Sequence, residues 1–179
     1  MIKVAVLGYG TVGSGVVEVI ESNNAQVSRS AGEEMHVKYI LDLRDFPGDP
    51  YADRVVHDVS LILEDPEVSI VCEVMGGTGP AYRFTKQALE AGKSVCTSNK
   101  ELVAKHGPEL LAIAGEHGCS YMFEASVGGG IPIIRPINSS LTAEKILAIL
   151  GIVNGTTNYI LTRMGSEGAD FEAVLKQAQ

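Results

Sequence analysis

Apolar residues along the chain come in short runs separated by glycine-rich or polar stretches, and their period changes from run to run. Residues 4–7 (VAVL) form an unbroken apolar run, the pattern of a strand buried on both faces of a parallel sheet. Beyond Gly13 the spacing widens, and Val16, Val17 and Ile20 fall on one face of a helix. The alternation then repeats. Strands are predicted over residues 36–43, 69–74, 93–97 and 119–124. Between them lie a short helix at SLILED, a helix over 80–91 closed by Gly92, a helical piece over 99–104, and a helix over 108–117 closed by Gly118. RDFPGDPYADRVVHD, residues 44–58, is rich in Pro, Gly and Asp and reads as a loop. Strands alternating with helices predict an α/β fold with a doubly wound parallel (Rossmann-like) sheet, and residues 1–130 suffice for it.

Past residue 130 the pattern changes. VGGGIPIIRPINSSL, residues 127–141, reads as a link. Residues 144–153 look strand-like, NGTTN looks like a turn, residues 159–164 open a helix and residues 171–179 are helical in pattern. Residues 131–179 are thus expected to be the beginning of a second, truncated α+β domain, too small to be compact alone.

Composition narrows the classes. The chain has 179 residues, 45% hydrophobic and 20% charged, enough for one globular domain and part of another. No apolar run approaches the ~20 residues of a membrane helix, and the first strand begins where a signal sequence would stand. The net charge of −8 argues against nucleic-acid binding. Cys72, Cys96 and Cys119 show no C-x-x-C or Cys/His zinc spacing, which fits reduced, mostly buried cysteines in a cytoplasmic protein.

The first turn carries chemistry. GYGTVG places Gly8, Gly10 and Gly13 between a strand and a helix, the context of a dinucleotide fingerprint. Gly8 permits the tight turn, Gly10 lets a pyrophosphate approach the backbone, and Gly13 lets the helix pack on the strand. The helix start offers unpaired N–H groups and a positive dipole end. At the end of the second strand the candidates for the adenosine ribose are Asp42 and Arg44. An acid there favours NAD and an arginine favours NADP, and the alternation in YILDLRD leaves both open.

Five segments then line up in order: GYGTVG at 8–13, EVMGGTGPA at 73–81, ALEAGKSVCTSNKELVAKHG at 88–107, EASVGGGIPII at 124–134 and GIVNGTTNYILTRM at 151–164. Together they strongly resemble homoserine dehydrogenases, which interconvert homoserine and aspartate 4-semialdehyde in threonine, methionine and isoleucine biosynthesis. The resemblance implies NAD or NADP as cofactor, with Gly8, Gly10, Thr11, Val12 and Gly13 at the pyrophosphate and Arg44 near the adenosine ribose. It implies that Gly76, Gly77 and Thr78 face the cofactor, that Ser98 (usually Ala in the family) and Lys100 lie on the nicotinamide side, and that Asn154, Gly155 and Thr156 reach the cofactor from the second domain. Glu124, with the carbonyls of Val127, Gly129 and Ile131, matches a monovalent-cation site, usually sodium. It also implies a small-molecule substrate and a homodimer in the full-length protein.

Chemistry supports these placements. Thr78, Lys100 and Glu124 fall at or just after predicted strand ends, where ligands of doubly wound sheets bind. Lys100 would set a positive charge beside a carbonyl oxygen that becomes an alkoxide. The resemblance puts the family's proton-donor lysine beyond Gln179, so the chain alone is expected to bind cofactor and to turn over weakly or not at all. Two other readings stand beside this one: an aldehyde dehydrogenase working through a thioester on Cys96, and a non-catalytic dinucleotide sensor or dimerisation module.

Overall fold

In the computed structural model, which describes residues 1–152 and 154–178, six strands pair in parallel: β1 (Ile2–Leu7), β2 (Met35–Leu41), β3 (Val55–Val56), β4 (Val68–Glu73), β5 (Ser94–Thr97) and β6 (Tyr121–Met122). Their spatial order is β3-β2-β1-β4-β5-β6. Val4, Ala5, Val6 and Leu7 of β1 are all buried, as a central strand covered on both faces requires. The order reverses between β1 and β4, so the connections that follow these two paired strands leave toward opposite faces of the sheet and frame a crevice beyond the strand ends.

Helices cover both faces. On one, Ala5, Leu7, Val71, Val95 and Tyr121 form a core with α3 (Ser60–Leu63), α4 (Gly79–Glu90) and α5 (Lys100–Glu116). On the other, Val4, Val6, Val37, Ile40 and Cys72 meet Val17 and Ile20 of α1 (Thr11–Ser22). Four residues of helix have no stability of their own. Burial of Ile62, worth about 2 kcal/mol, fixes α3 to the sheet.

The chain separates into two compact units, Met1–Arg135 and Pro136–Gln179. The second contains α7 (Gly155–Glu167) and α8 (Phe171–Ala178), with Ile160 and Val174 buried. A short helix, α6 (Ile134–Ser140), runs across the boundary in sequence.

Several elements differ from the sequence expectation. Residues 44–58 are not all loop: Val55–Val56 pairs with Ile40 and Leu41 as the edge strand. A further helix, α2 (Asn24–Ala31), buries no residue, so it shows no apolar stripe, and Gly32 ends it at φ +77°. The pieces at 99–104 and 108–117 are one helix, α5, with Pro108 inside it. Proline removes one backbone bond there, yet the buried stripe of Leu102, Leu110 and Ala114 runs through. Residues 144–152 form no strand, and Leu147 and Leu150 are exposed; Val153 lies outside the described residues. NGTTN opens α7 rather than turning. Asn154 caps it, its side-chain oxygen accepting from Thr157 N at 2.8 Å. The other boundaries move by one to a few residues, and Gln179 also lies outside the described residues.

Candidate active site

The glycine turn is built as its spacing demands. Gly8 has φ +97°, a conformation that disfavours a side chain, and its N–H donates to Leu41 O at 2.8 Å. A Cβ on Gly13 would stand 1.9 Å from the Gly8 carbonyl oxygen, so the helix packs on the turn only because residue 13 is glycine. A Cβ on Gly10 would meet nothing within 4 Å, so the space above it is open. The first helical bond of α1 runs from Ser14 N to Gly10 O, and no side chain caps the N–H groups of Thr11, Val12 and Gly13 ahead of it. Bare N–H groups at a helix start are suited to a phosphate.

A cavity of about 690 Å³ opens at this turn. Its lining includes Gly8, Gly10, Asp42, Arg44, Gly76 and Arg83, and His57 stands on the same wall. Asp42 and Arg44 act as a pair rather than as alternatives. The Asp42 carboxylate, only 11% exposed, accepts from Tyr9 N at 2.8 Å, Arg44 N at 3.0 Å and Arg44 Nε at 3.0 Å. The Arg44 guanidinium holds the Asp42 carboxyl well below the usual range. Arg44 itself is 63% exposed. Asp42 therefore braces the glycine turn, and the arginine is the member open to a ligand. His57 sits on β3's far side in sequence, its Nδ1 2.7 Å from the Asp42 carbonyl oxygen and its Nε2 3.1 Å from Asp45 Oδ1. The bond to that carbonyl pushes the imidazole pKa up. Both acceptors favour the doubly protonated ring.

The loops after β4 and β5 are tied by a buried relay that the sequence reading missed. Glu73, fully buried, accepts from Met75 N at 2.9 Å and from Thr97 Oγ1 at 2.6 Å. Thr97 Oγ1 accepts from Asn99 N at 2.9 Å. Asn99 donates through Nδ2 to Gly77 O at 2.6 Å and caps α5 by accepting from Leu102 N at 3.1 Å. One chain of hydrogen bonds thus sets Gly76 and Gly77, both at positive φ, against Ser98 and Lys100. A buried acid at the end of an otherwise apolar run is the signal that could have revealed it.

Of the remaining predicted residues, Thr78 precedes α4 and Lys100 is the first residue of α5. Lys100 is exposed, with no carboxylate partner among the described residues. A cation at a helix start opposes the dipole, and Glu101 beside it has the favourable sign. Gly155 begins α7 in the second unit. Cys96 lies beside the thiol of Cys72 at 3.2 Å, not beside a histidine. Glu124 opens a short turn, Glu124–Ser126, and its carboxylate accepts from the N–H groups of Ile133, Ile134 and Arg135. Those bonds, led by Ile133, lower its pKa. Val127, Gly129 and Ile131 lie on the loop between, where Ile131 N donates to Gly128 O at 3.0 Å.

The strand order, the glycine turn and the cavity over it define the class: a doubly wound dinucleotide-binding fold. Comparison with known proteins gives the family. Residues 8–124 match the homoserine dehydrogenase NAD-binding domain, and residues 132–179 match the homoserine dehydrogenase domain that follows it. The chain is 43% identical to a homoserine dehydrogenase of Synechocystis and 44% identical to one of Bacillus subtilis, over 99% of its own length in each case. It superposes on a crystal structure of a Thiobacillus denitrificans homoserine dehydrogenase with TM-score 0.89 at 41% identity, covering 99% of this chain and 42% of that one. A hyperthermophilic archaeal homoserine dehydrogenase mutant in complex with NADPH matches with TM-score 0.82 at 31% identity, covering 99% and 60%. The chain belongs to the homoserine dehydrogenase family. It spans 41% of the length of the Synechocystis relative and 42% of the Bacillus one. No helix among the described residues is long and apolar enough to cross a membrane.

Proposed function

We propose that this chain supplies the cofactor half of an NADP-preferring homoserine dehydrogenase, in which a nicotinamide exchanges hydride with the C4 carbon of aspartate 4-semialdehyde or homoserine. The observation that carries the reading is the cavity over a glycine turn that tolerates no side chain at Gly13 and keeps open space at Gly10. The residues present fit a dinucleotide. The N–H groups of Thr11, Val12 and Gly13, with the backbone of Gly8 and Gly10, would hold the pyrophosphate. Arg44, with His57 and Arg83 also lining the cavity, gives it a positive lining that suits a 2′-phosphate, which supports NADP over NAD. NADPH is also the ligand of the archaeal relative.

Gly76, Gly77, Thr78 and Ser98 would border the nicotinamide side, held in place by Glu73 and Asn99. Lys100, without a carboxylate to neutralise it, would stabilise charge growing on the substrate oxygen. The resemblance also assigns Gly155, between Asn154 and Thr156, to the cofactor, and the whole protein would act as a homodimer on its small-molecule substrate. The sodium ion assigned by resemblance to Glu124, Val127, Gly129 and Ile131 would meet oxygen donors only, which suits a hard cation. In this geometry the Glu124 carboxylate is engaged by three N–H groups, and no step passes through the ion.

The test is homoserine-dependent reduction of NADP⁺ by the whole protein that carries this chain. Lys100→Ala should lower kcat by about a hundredfold, as loss of one stabilising donor does, and should change NADPH affinity far less. Unchanged kcat would remove Lys100 from the mechanism. Binding of NADPH without turnover, insensitive to homoserine, would replace the enzyme reading with that of a nucleotide sensor.

A further inference from the structure

The sheet sets two cysteines side by side. Cys72 on β4 and Cys96 on β5 are register partners, and their sulfurs lie 3.2 Å apart. Neither lines the cavity at the glycine turn. Cys72 is 8% exposed and Cys96 is half-buried. Met122, the register partner of Cys96 on β6, is 58% exposed. Register partners project to one face of a sheet, so the face carrying the two thiols opens to solvent toward β6. Cys119 stands elsewhere, with its thiol 3.5 Å from the Leu89 carbonyl oxygen.

Two thiols at this spacing allow a reaction that a single thiol does not. Paired Cα atoms on neighbouring strands lie about 4.8 Å apart, inside the range of about 4.4–6.8 Å that a disulfide spans. The hydrogen bond shared by the two thiols lowers the pKa of Cys96, the more accessible of the two, and pushes that of Cys72 up.

We propose that Cys72 and Cys96 form a dithiol modification site that a hydroperoxide closes to an intramolecular disulfide. The Cys96 sulfur attacks the peroxide, the O–O bond breaks, and the departing oxygen leaves protonated, giving a sulfenic acid on Cys96. The Cys72 sulfur then attacks the Cys96 sulfur. The S–S bond forms, the S–O bond breaks, and the hydroxyl leaves as water with the Cys72 proton. Each sulfur gives up one electron, and the peroxide is reduced by two.

Closure draws the sulfurs from 3.2 Å to about 2.0 Å. The next residues on the two strands, Glu73 and Thr97, are hydrogen-bonded to each other and hold Met75 N and Asn99 N. The displacement therefore reaches the Gly76–Gly77 and Ser98–Lys100 loops and weakens NADPH binding. This coupling rests on the proposed cofactor site; disulfide formation does not.

The experiment treats the chain and its Cys119→Ser variant with hydrogen peroxide, then measures intact mass, peptide map and NADPH affinity before and after reduction with dithiothreitol. The expected result is loss of two hydrogen masses, a peptide joining Cys72 to Cys96, weaker NADPH binding, and recovery of all three on reduction. In Cys72→Ser, dimedone should trap Cys96 as its sulfenic acid. Cysteines 72 and 96 remaining free thiols after Cys119 has reacted, or cross-links that run through Cys119, would overturn the proposal. A disulfide that leaves NADPH affinity unchanged refutes the coupling alone. A reduced, folded chain that binds no NADPH refutes the cofactor reading and leaves the disulfide standing.

Discussion

At the scale of single residues, the glycine turn makes the sharpest claims. Gly13→Ala would force a methyl to within 1.9 Å of the Gly8 carbonyl oxygen. The turn must shift, at a cost of about 1–3 kcal/mol, and the N–H groups proposed to face the phosphates shift with it. A thermal melt and an NADPH titration should both record a loss; a variant that keeps both properties contradicts the packing argument. Arg44→Ala should weaken NADPH by about tenfold, ~1.4 kcal/mol, and leave NADH unchanged. Asp42 has a folded pKa below its unfolded one. Its stabilisation is complete above the unfolded value of about 3.9 and is lost as pH falls through the folded value. Acid titration of the wild type and Asp42→Asn should therefore show a stability gap at neutral pH that closes on acidification. His57 is raised instead, and it faces the Asp42 carbonyl and the Asp45 carboxylate. NADPH affinity should fall as pH rises through its folded pKa, above the ordinary value of about 6.5, and His57→Gln should abolish that fall. The tight turn at Gly8 and the close packing at Gly13 were legible from spacing, since backbone geometry depends on little else. Asp42 and Arg44 were not resolved because the answer lies in their contact with each other and with Tyr9 N.

At the scale of elements, what could be read depended on whether burial left a periodic trace. β1 and β4 announce themselves because four of the six residues in each are buried, in apolar runs. Helix α2 buries none of its residues, so its sequence carries no stripe to find. Strand β3 is two residues long and exists through its pairing with β2, which a local reading of a Pro- and Gly-rich stretch does not contain. Residues 144–152 show the converse: an apolar run becomes a strand only against a partner strand, and Leu150 there is 96% exposed. Helix α5 shows that a continuous buried stripe outweighs one internal proline. Its start carries a testable separation. Asn99→Ala removes the helix cap, costing about 1 kcal/mol, and releases the Gly77 carbonyl. Asn99→Asp keeps an accepting oxygen for Leu102 N but loses the donor to Gly77 O. The aspartate variant should keep the melting temperature and still weaken NADPH binding. Equal affinity in wild type and Asn99→Asp would show that the Gly77 bond does not position the loop.

At the scale of the whole molecule, the sheet order and its two helical layers place every strand end of interest on one rim, and the cavity lies where the order reverses. The alternation of strand and helix was enough to foresee this architecture. The pairing of Glu73, Thr97 and Asn99 across two loops was not, because it joins residues distant in sequence. The central claim is that the cavity over the glycine turn holds a phosphorylated dinucleotide. Its most direct test is calorimetric titration of the folded chain with NADPH and NADH in parallel. The account predicts saturable binding of both at one site, with NADPH tighter and its advantage erased in Arg44→Ala. No saturable binding to a chain that melts cooperatively, or equal affinity for the two cofactors, would contradict it.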